Sequence, residues 1–61
     1  MDICICLKNT KTDKSTFKKD SVYPFQSVKI HGKIVCYMVY FGHNACITFE
    51  PKQFTNRFVR L

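Results

Sequence analysis

Residues Ile34-Val35-Cys36-Tyr37-Met38-Val39-Tyr40-Phe41 form an unbroken apolar run, bounded by His31-Gly32-Lys33 on one side and Gly42-His43-Asn44 on the other. β-branched and aromatic types dominate it, which favours a strand over a helix of the same length. Both flanks carry turn chemistry. The run is therefore expected to be the shared strand of two hairpins, with Val28-Lys29-Ile30 before it and Ala45-Cys46-Ile47-Thr48-Phe49 after it. Strict alternation places Tyr37, Val39 and Phe41 on one face and Cys36, Met38 and Tyr40 on the other. One face is core. The other is either an open surface that offers Tyr and Met to a partner, rimmed by Lys29, Lys33, Arg57 and Arg60, or is covered by a closed barrel or a dimer.

The rest of the chain reads as further short strands. Ile3 to Leu7 is a brief apolar run suited to a strand covered on both faces. Val22-Tyr23-Pro24-Phe25 is a weak strand, because Pro24 cannot donate to a ladder and belongs at an edge, a bulge or a strand end. Between them, residues 9–20 read as a long exposed loop rich in Lys, Thr, Ser, Asn and Asp, with Phe17 pinning it to the core. Glu50-Pro51 opens a short helical turn, Pro being pre-organised for a first helical position, and Val59-Arg60-Leu61 alternates like a last strand. The expected fold is all-β: one small five-stranded antiparallel barrel over residues 1–61, with a short C-terminal helical turn.

With 61 residues there is room for one core, and nine aromatics are ample to fill it. A core of this size rarely supplies more than roughly 3–5 kcal/mol without a further staple, so a homodimer is a natural expectation. The net charge is +6, and Lys8, Lys11, Lys14, Lys18 and Lys19 are concentrated around the first loop with only Asp13 and Asp20 among them. That clustering favours an anionic partner, whether nucleic acid or an acidic protein surface, although lysine-rich loops are also simply soluble. The N-terminal stretch lacks the basic start and long apolar run of a secretory signal, and no segment approaches the roughly 20 apolar residues of a membrane span. A soluble, cytoplasmic protein with reduced cysteines and no membrane partner is expected.

No reaction chemistry is legible. Four carboxylates are widely spaced, there is no Gly-rich phosphate loop, and no nucleophile sits beside a base. Cys4 and Cys6 share a strand face, and Cys36 and Cys46 lie on a hairpin that could bring them near each other. All four sit inside apolar runs without zinc-knuckle spacing, so they read as small core residues rather than metal ligands. His31 and His43 fall in turns at opposite ends of the long strand, roughly 30–40 Å apart by strand rise, and cannot share a ligand. His43, beside Gly42 and Asn44, could line a binding edge. No catalytic residue, metal or cofactor is assigned.

The ending Phe49-Glu50-Pro51 … Phe58-Val59-Arg60-Leu61 is similar to that of SH3-like barrels, where a Pro-marked turn precedes an aromatic-led final strand. With Phe17-Lys18-Lys19-Asp20-Ser21-Val22-Tyr23 leading into two hairpins, the layout also resembles a class of very small phage-encoded SH3-like proteins. The chain departs from peptide-binding SH3 domains in its basic first loop and its lack of Trp, so Pro-rich ligands are not implied. The resemblance implies an SH3-like barrel and an accessory role by occupancy: a non-enzymatic module that binds and inhibits a host or bacterial defence protein complex, an anti-CRISPR role included. Direct nucleic-acid binding and a homodimeric structural or assembly role are the alternatives. Candidate contact residues are Lys8, Lys11, Lys14, Lys18, Lys19, Lys29, Lys33, Tyr40, His43, Arg57 and Arg60.

Overall fold

The computed structural model describes residues 2–61; Met1, the first residue of the N-terminal stretch read above, lies outside them. Its elements are β1 (Asp2–Cys6), β2 (Thr10–Lys11), β3 (Thr16–Phe17), β4 (Val22–Ile30), β5 (Lys33–Gly42), β6 (Ala45–Phe49), α1 (Pro51–Arg57) and β7 (Phe58–Arg60). Five of the strands form one antiparallel sheet in the order β6-β5-β4-β1-β7, and β2 pairs with β3 alone.

The apolar run is the backbone of this sheet, as its composition demanded. His31 and Gly32 take φ of 52° and 80°, giving a two-residue reversal, so Lys33 belongs to the strand rather than to the turn. Asn44, at φ 58°, closes the second hairpin. Strict alternation does not survive along β5. Val28 pairs with Cys36 and Lys29 with Ile34, leaving Val35 without a partner on β4. Tyr40 pairs with Cys46 and Gly42 with Ala45, leaving Phe41 as the extra residue opposite β6. Both bulges bend the strand, and the one at Val35 carries Ile34 to the core side, where simple parity would not have put it.

Two segments expected to be separate, 22–25 and 28–30, merge into the single strand β4, with Pro24 inside a central strand. The hydrogen-bond alternation makes this tolerable. Cys6 N–H donates to the Ser21 carbonyl at 2.9 Å, and Leu61 N–H donates to the Ile3 carbonyl at 2.9 Å. Cys4 and Cys6 thus bond toward β4, and Ser21, Tyr23 and Phe25 bond back toward β1. The nitrogen of Pro24 consequently points toward β5, and there β5 has already parted: the last β4–β5 pair is Phe25 with Val39.

The expected barrel is not closed. Strands β6 and β7 are the free edges of an open sheet, and no ladder joins them. Their seam is closed by rings instead, because α1 leads from one edge to the other: Phe49 of β6 and Phe58 of β7 meet edge-to-face at 5.3 Å. Two further aromatics fill the inner face. Phe17, fully buried, lies edge-on to Tyr23, Phe41, Phe49 and Phe58 with centroids 4.9 to 6.0 Å away. Phe54 of α1 stacks on Tyr37 at 4.1 Å and leans on Phe25 at 5.0 Å. Each such side chain contributes about 1.5–3 kcal/mol by burial, and each ring pair about 0.5–1.5 kcal/mol more.

The short helical turn expected after Glu50-Pro51 runs through Thr55-Asn56 to Arg57. Pro51 occupies its first turn, the Glu50 N–H donates to Gln53 Oε1 at 3.0 Å, and Thr55 Oγ1 turns back to the Pro51 carbonyl at 3.1 Å. A threonine whose hydroxyl is satisfied on its own helix does not interrupt it.

The two sides of the sheet follow from the registers. Inward stand Cys6 with Phe58, Phe25 with Val39 and Ile47, and Ser27 with Tyr37 and Phe49. Outward stand the rows Val59–Ile5–Val22, Ile3–Pro24, Tyr40–Cys46, Gln26–Met38–Thr48 and Val28–Cys36. The outward row nearest the β4–β5 turn, Ile30–Lys33, carries the one charged side chain on this face.

Candidate binding surfaces

The segment expected to be a plain exposed loop is a folded arm. Its tip is a hairpin in which the Thr12 N–H and Oγ1 both donate to the Ser15 carbonyl, at 2.8 and 2.7 Å, while Thr12 Oγ1 accepts from the Ser15 N–H at 3.0 Å. Its return is a turn at Lys18–Ser21 with Asp20 at φ 68°, held by the Asp20 N–H on the Cys6 carbonyl at 2.7 Å. Asn9 Oδ1 accepts from the Lys19 N–H at 2.8 Å. Local Thr, Ser, Asn and Asp bonds of this kind satisfy backbone that has no sheet partner, and Phe17 fixes the arm to the core as its isolation in the sequence implied.

Lys8, Lys11, Lys14, Lys18 and Lys19 are all exposed on this arm. Among the described residues the one ion pair is Arg60 with Asp2, at 3.7 Å, so none of the arm lysines is neutralised. The positive field at this end is therefore directed into solvent.

The other cations lie elsewhere. Lys29 and Lys33 flank the β4–β5 turn, roughly 30 Å along β4 from the root of the arm by strand rise. Lys33 alone adjoins the outward face; Lys29 and Arg60 belong to the inward side, with Arg60 5.6 Å over the Phe25 ring. Arg57 lines a cleft of about 270 Å³ with Lys11, Thr10, Gln53 and the free edge of β6. The expected rim of four cations around one open face is thus corrected. Sequence separation gave no hint that the sheet would distribute them over both sides and both ends.

Tyr40 and His43 do come together. Where β4 and β5 part, a mostly apolar notch of about 430 Å³ opens, lined by Tyr23, Pro24, Tyr40, Phe41, Gly42 and His43. Tyr23 joins it to the arm, because its hydroxyl accepts the Lys18 N–H at 2.9 Å. Tyr23, Pro24 and Phe41 were not singled out from sequence, yet Pro24 was the available signal: a missing donor in a central strand marks a place where the neighbouring strand must leave. His31 sits at the far end of β5 from His43, within a molecule whose longest extent is 32 Å.

The cysteines divide. Cys4 and Cys6 are fully buried, with Cys4 Sγ donating to the Tyr23 carbonyl at 3.4 Å and Cys6 Sγ to the Lys8 carbonyl at 3.0 Å. Burial, with a smaller contribution from Cys6, pushes the Cys4 thiol up from 9.0 to about 11, so it is protonated and unreactive at neutral pH. Cys36 and Cys46 are not core residues: both are half-buried on the outward face. Nor does the hairpin bring them together, since Cys46 pairs with Tyr40, four residues along β5 from Cys36. Among the described residues no three His, Cys, Asp or Glu side chains converge on a point that could hold a metal ion, and no helix is long and apolar enough to cross a membrane. No protein-family model, curated protein or solved structure matches this chain.

Proposed function

We propose that this chain is a small SH3-like binding module of the cytoplasm that acts by occupancy, docking its lysine arm and the adjoining notch on an acidic, apolar-anchored surface of a protein complex. One observation carries the reading: the Lys18–Tyr23 hydrogen bond unites a cationic element and an apolar notch into one surface. An apolar side chain of the partner enters the notch between Tyr23, Tyr40 and His43, and carboxylates beside it meet Lys18 and Lys19. The sheet order, with the final strand returning to pair with the first and the arm between the first and second long strands, supports the SH3-like assignment. For a phage-borne chain of this layout, the partner is a host or defence complex, and blocking one of its working surfaces is the activity. Nothing in this mode needs a nucleophile, and the buried, protonated Cys4 is no candidate for one.

Nucleic acid is the competing occupant of the arm, favoured by five lysines without ion pairs. Binding single strands usually adds aromatic stacking. Here the rings beside the arm, Tyr23, Tyr40 and Phe41, line a notch of about 430 Å³ that suits one inserted side chain rather than a run of stacked bases, which ranks the protein partner first.

The test is affinity purification from bacterial lysate, with and without nuclease, comparing the native chain with Lys18→Glu/Lys19→Glu. The expected outcome is one stoichiometric protein, insensitive to nuclease, lost in the variant and eluted by salt. Retention that disappears with nuclease transfers the arm to the nucleic-acid reading, and a partner held equally by the variant refutes the proposed surface.

A further inference from the structure

The outward face of the five-stranded sheet is unlike a solvated one. Antiparallel sheets with one wet face alternate apolar inward with polar outward. Here Ile3, Val22 and Val59 stand 46–52% exposed, Leu61 extends their edge, and Met38 and Tyr40 lie half-buried on β5, the strand beyond β4. The polar groups present are satisfied in place, Tyr40 donating to Gln26 Oε1 at 3.2 Å.

We propose that this face is the interface of a homodimer in which two copies stack sheet on sheet about a two-fold axis. Charge selects the occupant. The molecule carries a net charge of +6, yet Lys33, in the Ile30–Lys33 row at the turn end, is the one charged side chain on this face. This is therefore the one broad surface two copies can share without setting lysine against lysine, and a two-fold contact between identical uncharged rows needs no complementary partner. The area suffices. Five strands at about 4.8 Å spacing and about six residues of length give roughly 400–500 Å² per copy, so a stacked pair removes about 1,000 Å², the lower bound for a specific interface. Each copy thereby covers about a tenth of its 4469 Å² surface. Stacked sheets pack about 10 Å apart, which leaves the lysine arm free at the end of the sandwich, whereas Pro24 and Tyr40 belong to both the notch and this face, so a second copy and a docked partner compete for them.

The experiment is sedimentation equilibrium from about 1 µM to about 1 mM at two ionic strengths, together with the rate of Cys36 and Cys46 alkylation. The apparent mass is expected to double from 7.2 kDa with a midpoint in the micromolar range, and both thiols to slow at least several-fold where dimer predominates. Added salt strengthens this association, because it screens the repulsion of two +6 chains across an uncharged contact; it weakens docking through the lysine arm. The opposite signs separate failure of this inference from failure of the proposed function. Met38→Lys and Val59→Lys should be monomeric with native circular dichroism, while Lys14→Glu remains dimeric. A mass of 7.2 kDa throughout the range overturns the proposal, as does a dimer that Val59→Lys leaves intact, and a chain that stays monomeric but floats with phosphatidylcholine vesicles assigns the face to lipid instead.

Discussion

The inner and outer faces of the sheet are both largely apolar, yet the inner one, which carries most of the rings, is sealed and the outer one, with Tyr40 as the one aromatic ring in its rows, is open. Inside, rings delivered from the two connections supply the cover: Phe54 from the helix lies on Phe25 and Tyr37, and Phe17 from the arm lies on Tyr23, Phe49 and Phe58. Outside, Ile5, Met38 and Tyr40 have equivalent neighbours along the strands but no connection passes over them. An apolar strand run does not choose its core; the loops that supply a cover choose it. Where none is supplied, the face remains available to a second molecule.

The largest effect should come from removing a cover. Phe17→Ala or Phe54→Ala forfeits about 3–5 kcal/mol, which equals the whole stability of a domain this small, so each variant is expected to show an unfolded circular-dichroism spectrum at 25 °C. A variant that melts cooperatively near the native temperature would mean that the arm or helix is not what seals the inner face.

The same substitution on both faces sharpens the contrast. Val39→Thr puts a hydroxyl into a fully buried site and should cost about 1–3 kcal/mol. Val22→Thr, on a residue 52% exposed, should stay within about 0.5 kcal/mol in urea titrations of dilute protein. Equal costs would indicate that the outer face is also covered within the monomer.

Alkaline pH probes the inner face through Cys4. The folded-state pKa of Cys4 is raised to about 11 from 9.0, so between these values the unfolded chain has released the proton and the folded chain keeps it. Stability consequently falls as pH rises through that window, by about 2–3 kcal/mol from this group when complete. Cys4→Ala should flatten that part of the decline in urea midpoints measured from pH 8 to pH 11. An unchanged slope would place the thiol in contact with water. The smallest effect is at the helix that carries Phe54: Gln53→Ala removes the acceptor of the Glu50 N–H and should cost about 0.5–1 kcal/mol by thermal melting.

Much of this was legible beforehand because it is local. The two hairpins around the apolar run, the Pro-led helical turn and the pinning role of Phe17 all follow from residue type and near neighbours, and all are present. The arm, expected as a loop, gains its hairpin from Thr12 and Ser15, whose side-chain bonds are invisible to hydrophobic patterning. The notch at Tyr23, Tyr40 and His43 required knowing that β4 leaves β5 after Phe25. The supposed cysteine pair failed on register, which sets Cys46 opposite Tyr40.

Sequence alone determined that this chain makes short strands with sharp reversals, that its interior is aromatic, and that its positive charge gathers in the segment after the first strand, because each of these depends on neighbours a few residues away. The tertiary structure alone decided which side of the sheet became the inside, which residues bulge, that the edges stay unpaired, and that lysines distant in sequence occupy opposite ends. Those outcomes depend on pairing between segments far apart in the chain, and a one-residue change of register in β5 reverses the face of everything beyond it.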